Sequence, residues 1–454
     1  MSIRSPSGLW HVGCCLAPDQ PVNLEEPTVN TVGVWRRLAA ALAVVLLLSV
    51  APAALAQVKP GDFITKDNAS KVKDLVSPGV YYKVAHGMSM NIIPTGRIDW
   101  PPPYKEATEK YSAQCRLSPD HRTLEGYVAG QPFPMIDSND PYVAEKIMWN
   151  NCYRPELGDD YDLRAYDAKL VYENDPRVIT YYLEGHYAGY NLTGRTEVEP
   201  LPTDPDFKTT GRLWLFGMYP ILAPATSRGS GIIRYRYADP ARADDSWDWT
   251  PGTRRVRRLD ETILSDAAGV TTWDPDTYGG FGAKNEEYDY RFLGEKNLLG
   301  CLHAKFPLTE CKTDGDASAC PEDWEIRHMY VVEATLRHGW VANADLHGKY
   351  IVYEDSEEWW SPYIDLYDHQ GVLWYVHIWW NTYRDRPNPN SRIAIYPFKR
   401  AFSYAHGSTD VQSGLAGMAY LPPLEGAETE SWYINMGAVD RQFFTVQAMQ
   451  KVAP

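Results

Sequence analysis

Polar and apolar positions alternate with a period of two through much of residues 325–382. In 325–337, Ile326, His328, Tyr330, Val332, Ala334 and Leu336 fall on one face and Glu325, Arg327, Glu333, Thr335 and Arg337 on the other. That is the mark of a strand with one buried side. Residues 347–355 have strand composition (Tyr350, Ile351, Val352, Tyr353) without clean alternation, and 360–368 set Ile364 and Leu366 against Tyr363, Asp365 and Tyr367. The turn Asp368-His369-Gln370-Gly371 leads into 372–382, where Val372, Trp374, Val376, Ile378 and Trp380 share a face. Strands joined by turns this short form an antiparallel meander with one large apolar face.

Further strands are expected at 177–192 (Ile179, Tyr181, Leu183 and Tyr187 on a face), 212–220, 231–237, 253–259 and 286–292, and near 392–398 and 414–420. In 231–237, Ile233, Tyr235 and Tyr237 alternate with Arg234 and Arg236. Residues 239–248 read as an acidic turn, 266–282 as a long loop, and about 299–323 as a Cys-containing insertion. The earlier chain carries helix signals instead. Thr65 or Asp67 caps a segment with Ala69, Val72, Leu75 and Val76 at helical spacing, stopped by Ser77-Pro78-Gly79. A weak helix is expected at 106–114 and another at 142–150 with Val143, Ile147 and Met148 near one face, while the Pro-rich 91–104 reads as extended. Helices first and strands afterwards predict an α+β fold, in which early helices pack on a sheet built later in the chain.

The chain has 454 residues, 44% hydrophobic and 23% charged, a globular balance with length for one large domain or two smaller ones. Aromatics at 13%, with 16 Trp and 31 Tyr, favour β-structure and broad apolar or sugar-stacking surfaces. A formal net charge of −15 argues against a nucleic-acid role. Arg36 and Arg37 precede an apolar run over 38–50, and Ala54-Leu55-Ala56 is an A-x-A cleavage site before Gln57. The expectation is an exported protein: residues 1–56 are an N-terminal extension plus signal peptide that is removed, and 57–454 are a single mature domain. Outside the cytoplasm thiols pair by default. Cys115 with Cys152 is the natural pair, and one bridge is expected among Cys301, Cys311 and Cys320, with the choice open. Zinc is the rival for that trio, but the spacing matches no CxxC pattern.

No G-x-S-x-G, H-E-x-x-H or P-loop occurs, so no catalytic residue, cofactor or metal is assigned. A wide apolar sheet face roofed by early helices would enclose an apolar space. Its candidate lining is Trp214, Phe216, Tyr330, Val332, Trp374, Val376, Ile378 and Trp380, with ordinary core packing as the alternative. Arg254, Arg255, Arg257 and Arg258 flank Val256 and could meet a lipid headgroup or an acidic partner; salt bridging or protection of a sheet edge would explain them equally. His328 is expected in the core with one hydrogen-bond partner. The group Glu354, Asp355, Glu357, Glu358, Asp365 and Asp368 could hold calcium or act as an acid/base pair on a sugar, against the simpler reading of a solvated turn.

An ordered set of motifs carries a family resemblance. It comprises Ile64-Thr65-Lys66-Asp67-Asn68-Ala69, the segment 124–134, the basic 253–259, Tyr330-Val331-Val332-Glu333-Ala334-Thr335-Leu336, 350–355, and Leu366-Tyr367-Asp368 with Leu373-Trp374. Together these resemble the family known as domain of unknown function 1329. Its members are exported proteins of Gram-negative bacteria, often labelled outer-membrane lipoprotein-sorting proteins and similar to LolA/LolB-type carriers. The resemblance implies a large curved antiparallel sheet, an incomplete barrel, with helices covering the concave face and a cavity for acyl chains. It also implies a periplasmic binding or carrier protein for a lipid, lipoprotein or other hydrophobic molecule. The expected partner is an envelope transporter of the resistance-nodulation-division class or an outer-membrane component. Export would end at Ala56/Gln57, with association to the outer membrane left open. Two other classes compete: an exported enzyme acting on a polysaccharide or hydrophobic ester, and a non-catalytic envelope scaffold.

Overall fold

In the computed structural model of the protein, residues 58–451 are described apart from 157, 174, 260–271, 273–276, 278–279, 306–321, 338–346 and 422–431. The export segment, most of the Cys-containing insertion, Cys311 and Cys320 lie outside the described residues.

The frame is a pair of antiparallel meanders. The first runs through β1 (Asp160–Tyr172), β2 (Asp175–Asn191), β3 (Arg212–Met218), β4 (Gly231–Tyr237), β5 (Asp245–Thr250) and β6 (Arg255–Leu259), each paired with the next. The second runs through β7 (Tyr288–Gly300), β8 (Glu322–Leu336), β9 (Lys349–Asp355), β10 (Tyr363–Tyr367), β11 (Leu373–Arg384), β12 (Arg400–Asp410) and β13 (Leu415–Tyr420). β13 joins the two by pairing with β1, from Leu415↔Tyr172 to Tyr420↔Asp167. Among the described residues no ladder links β6 to β7, so the sheet is open there and not a closed barrel. The class is α+β as expected, with a large open sheet that is mostly antiparallel and in which Met90–Ile92 runs parallel to the start of β8.

Edge strand β6 explains the run of arginines. Arg255, Arg257 and Arg258 are exposed, Arg257 pairs with Asp248 at 3.1 Å across the ladder, and Arg258 pairs with Asp245. A charged edge discourages stray strand pairing. Arg254 lies outside the strand, in a left-handed turn at φ 52°.

Helices cover the second meander on both faces. α1 (Pro78–His86) packs Val80 and Val84 against Ile351, Tyr353, Tyr363, Val376, Ile378 and Trp380. Ser77-Pro78-Gly79, read as a helix stop, is a helix start. Ser77 Oγ accepts from Val80 N at 3.1 Å and Pro78 takes the first turn, where a missing N–H costs nothing. The same hydroxyl donates to Asp365 at 2.8 Å, and Gly79 N donates to the other carboxylate oxygen at 3.0 Å, which pins the helix to β10. Gly79 is required because a Cβ there would meet Asp365 Oδ1 at 2.3 Å. The segment capped by Thr65 is the 3₁₀ helix Lys66–Val72. α2 (Pro102–Tyr111) begins inside the stretch expected to be extended. α3 (Val143–Cys152) forms as expected and packs Val143, Ala144, Ile147 and Met148 on the opposite face, against Val332, Val352, Ile364, Leu366, Trp360 and Trp379. Burial on both faces is why 347–355 lacked alternation: Ile351 and Tyr353 face α1, Tyr350 and Val352 face α3.

Several sequence expectations are corrected. In the first part of β8 the supposedly polar face is buried, with Glu325 at 0% and Arg327 at 2% exposure, because Arg327 pairs with Asp355 at 2.7 Å and Glu357 at 2.9 Å, while Thr335 further along the same face is exposed. His328 is exposed and not in the core, bonded to Glu295 at 2.8 Å and Ser356 at 3.1 Å. β1 was invisible because a bulge between Leu163 and Tyr166 breaks its period. β12 was missed because both its faces are buried, with small Ala401, Ser403, Ala405 and Gly407 on one and Phe402, Tyr404 and His406 on the other, so no polar face alternates. Residues 392–398 form no strand, and the acidic turn expected at 239–248 becomes β5 from Asp245 onward. Cys115, Cys152 and Cys301 are free thiols, so the expected Cys115–Cys152 bridge is absent. Sequence order cannot set the Cα separation and Cβ directions that a disulfide needs.

Candidate ligand-binding recess

On the first meander the two faces differ in their cover. One face carries Ala188, Tyr190, Leu215, Ile233 and Tyr235 and is packed by the C-terminal residues Val439, Phe444 and Met449. The other carries Tyr161 of β1, Tyr187 and Gly189 of β2, Trp214 and Phe216 of β3, and Arg234 and Arg236 of β4. These residues wall a cavity of about 170 Å³, closed from above by Cys152 and Arg154 at the end of α3 and by Phe281–Ala283. A second cavity of about 90 Å³ adjoins it, sharing Cys152, Arg154, Asn191, Trp214 and Arg236 and extending to Tyr104, Tyr127, Asp159, Lys284 and Glu286.

Local packing sets the aromatic wall. Tyr161 and Tyr187 stack at 5.7 Å, and Tyr187 meets Phe216 edge-on at 5.0 Å. Gly189 lies directly across from Tyr161, and a Cβ there would approach the ring to 2.4 Å, so only glycine lets the ring lie against the backbone. Tyr187, Trp214 and Phe216 are half-buried. Burial pushes the Tyr187 phenol up to about 12, so it stays a neutral donor.

The arginines are fixed by stacking and by shared carboxylates. Arg236 lies over Trp214 at 4.7 Å and Arg234 over the same ring at 5.8 Å. Arg154 lies over Trp360 at 4.4 Å and donates to the Asn151 carbonyl at 2.8 Å. Asp244 accepts from Arg234 at 2.7 Å and Arg236 at 3.2 Å, and Lys284 approaches it at 3.4 Å. Burial by itself would raise the Asp244 carboxyl, but the charges of Arg236, Arg234 and Lys284 outweigh it and hold it at about 2. Glu156 sits 3.6 Å from Arg154, and burial pushes its carboxyl up to about 7.

The wall contains no recognisable catalytic set. Cys152 lines the recess with its surface open to solvent, while the protein crowded around it pushes the thiol up to about 11, which leaves little thiolate near neutrality. The acidic group around β9 and β10 is dispersed, and most of it is not a solvated turn. Glu354 accepts from Asn151 and Ser361, Asp355 pairs with Arg327, and Asp365 caps α1, all at 0% exposure. Asp368 serves a turn, accepting from Gln370 N and Val372 N, and Asp355 also accepts from Glu357 N and Glu358 N in the turn that follows β9. Among the described residues no group of three or more His, Cys, Asp or Glu is arranged to hold a metal ion.

Of the residues named from sequence, Trp214 and Phe216 line the recess. Tyr330 and Val332 belong to the packing under α3, Tyr330 stacked on Trp359 at 5.6 Å. Val376, Ile378 and Trp380 are buried on the α1 face, and Trp374 sits at a bulge beside Tyr375. The opposite face of β11 turns His377 and Trp379 inward, with His406 stacked on Trp379 at 4.5 Å. Burial holds His406 at about 3 and lowers His377 strongly, so this stack is neutral. Arg154, Tyr161 and Tyr187 were not singled out as recess residues. Arg234 and Arg236 had a signal, since they alternate with the buried Ile233, Tyr235 and Tyr237 in 231–237.

Fold and site together define an α+β protein whose open sheet carries an aromatic, arginine-rich recess beneath the end of a helix. Residues 63–450 match the protein family of unknown function DUF1329, and the chain belongs to that family. No curated protein matches. A putative outer membrane lipoprotein-sorting protein domain from Vibrio parahaemolyticus is similar at 15% identity and TM-score 0.43, over 68% of this chain and 98% of that one. A DUF1329 family protein from Desulfovibrio piger is similar at 12% identity and TM-score 0.41, over 64% and 92%. A LolA superfamily protein from Nitrosomonas europaea is similar at 13% identity and TM-score 0.34, over 64% and 91%. Among the described residues no helix is long and apolar enough to cross a membrane.

Proposed function

We propose that this protein is a non-catalytic binding protein that carries a hydrophobic molecule through the periplasm and hands it to or from an envelope transporter or an outer-membrane partner. The observation that carries the reading is the half-buried aromatic wall of Tyr187, Trp214 and Phe216 on an open sheet. Aromatic side chains kept partly exposed beneath a helix end are a binding surface in waiting, since apolar area removed from water stabilises a complex by about 25 cal/mol per Å². A volume of about 170 Å³ is small for a whole acyl chain. A cavity of roughly 150 Å³ holds a single benzene ring. Longer cargo therefore requires the end of α3 and Phe281–Ala283 to move aside, a population shift driven by affinity for the cargo.

Native mass spectrometry of protein purified without detergent tests this, with solvent extraction of whatever it holds. A stoichiometric adduct extracting as one hydrophobic class is the expected result. A bare mass after incubation with membrane lipids overturns the carrier reading. The same spectrum reports whether residues 1–56 have been removed and whether any thiols are bridged.

A further inference from the structure

A third cavity, of about 200 Å³, lies by the start of α3, and the carrier reading makes no use of it. Three pieces of chain build it. α3 contributes Glu145 and Trp149, one helical turn apart, with Tyr142 just before them. β7 contributes Tyr288, Asp289 and Tyr290. The turn between the paired strands Arg116–Leu117 and Leu124–Glu125 brings Asp120, His121 and Arg122.

These walls are fixed in advance. Ser118 Oγ donates to Asp120 at 2.6 Å and accepts from Arg122 N at 3.2 Å and Thr123 N at 2.9 Å, which holds the turn. Arg122 ties the turn to β7 through Asp289 at 3.0 Å, and His121 stacks on Tyr142 at 3.5 Å. Tyr290 donates to Asn285 Oδ1 at 3.0 Å, and Asn285 donates to the Met148 carbonyl at 3.1 Å. Other groups around the cavity keep hydrogen-bonding capacity to spare. Among the described residues the Glu145 carboxylate has no partner beyond its own backbone N–H, and the His121 imidazole and the Trp149 indole N–H have no hydrogen bond. Trp149 is only 7% exposed, and a buried N–H is costly to leave without an acceptor.

The mixture of groups selects the guest. Asp120, Glu145 and Asp289 disfavour a phosphate or carboxylate, and so polar a lining disfavours a hydrocarbon. Among the described residues no His, Cys, Asp or Glu group is arranged for a metal ion. A ring with hydroxyls around its rim and C–H groups on its faces suits both halves of the lining. Carboxylate, imidazole and indole N–H pair with hydroxyls, and aromatic rings cover C–H faces. A cavity of roughly 150 Å³ holds one benzene ring, so about 200 Å³ admits one six-membered ring with its substituents.

We propose that this pocket binds a single pyranose sugar, free or as the head of a glycolipid, with Glu145, His121 and the Trp149 N–H on its hydroxyls and the aromatic side chains of α3 and β7 against its faces. The site stands apart from the carrier reading, which neither requires it nor forbids it.

Saturation-transfer NMR and titration calorimetry on the purified full chain test this with glucose, galactose, mannose and N-acetylglucosamine. At least one sugar is expected to bind saturably. Glu145→Ala should then weaken that sugar about tenfold, and Trp149→Phe, which keeps a ring and loses the N–H, a few-fold. No binding by any of the sugars overturns the site, and so does an unchanged affinity in Glu145→Ala. Cyclohexanol binding as tightly as the sugar overturns hydroxyl recognition. Tetramethylammonium binding more tightly overturns the sugar and assigns the pocket to an organic cation. The octyl glycoside of the bound sugar separates the two sources: tighter binding than the free sugar supports a glycolipid head, and equal binding supports a free sugar. Should Trp149→Phe fail to fold, Glu145→Ala and the probe comparison decide the matter alone.

Discussion

The two meanders use similar strands to opposite ends. In β8–β11 both faces are covered, and large rings such as Trp360 and Trp379 are at most 2% exposed. Its buried carboxylates are met one by one: Asp355 by Arg327, Glu354 by Asn151 and Ser361, Asp365 by Ser77 and Gly79. In β1–β4 only one face is packed by the C-terminal residues, and the other leaves Tyr187, Trp214 and Phe216 half-buried beside Arg154, Arg234 and Arg236. The first arrangement is complete in itself and makes a scaffold. The second leaves a recess open to a ligand. Aromatic content alone does not separate the two, because what covers a ring decides whether it is core or wall.

The largest effect should come from breaking the scaffold's charge network. Arg327→Met leaves Asp355 and Glu325 buried without their cation and is expected to cost about 3–5 kcal/mol in denaturant unfolding. A loss below about 1 kcal/mol would mean that water reaches this region and the contrast is mistaken. Next, Trp379→Ala should cost roughly 3 kcal/mol and Phe216→Ala roughly 1 kcal/mol, the second being half-exposed already. Equal losses would place Phe216 in a core.

A smaller effect separates the halves by pH. Burial pushes Asp365 and Glu354 up to about 7, against ordinary values of 3.8 and 4.5. Between those limits the folded state binds more protons than the unfolded one, so stability must fall as pH rises from about 4 to about 7. Asp365→Asn keeps an acceptor for Gly79 N, while its amide NH2 can donate to the Ser77 hydroxyl, and should flatten that slope by on the order of 2 kcal/mol across the window. An unchanged slope in unfolding curves taken at several pH values would show that Asp365 is ionised throughout. The smallest effect is expected at the open edge. Arg257→Ala removes an exposed pair with Asp248 and should change stability by at most about 1 kcal/mol. A larger loss in denaturant unfolding would show that the β6 edge is packed rather than exposed.

Local pattern was sufficient wherever one rule acted alone. The period of two in 231–237, the stripe Val143, Ile147 and Met148, and the strands of 347–382 follow from propensity and turn chemistry, and the structure has them within a few residues. The ordered motifs also carried the family and the α+β class. Pattern failed where two rules met. Ser77-Pro78-Gly79 ends one helical signal and begins another; the local cap of Ser77 on Val80 N makes it a start, and the Asp365 carboxylate, 288 residues from Ser77, fixes that start to the sheet. Bulges in β1 and β11 shift the alternation by one residue and send the following side chains to the other face. Sequence by itself determined that the chain forms a wide antiparallel sheet with early helices, because those preferences are short-range. Which sheet face became core and which became recess was decided only by the tertiary structure. Cover comes from α1, α3 and the C-terminal residues, far along the chain from the strands they bury, and no local pattern encodes their arrival.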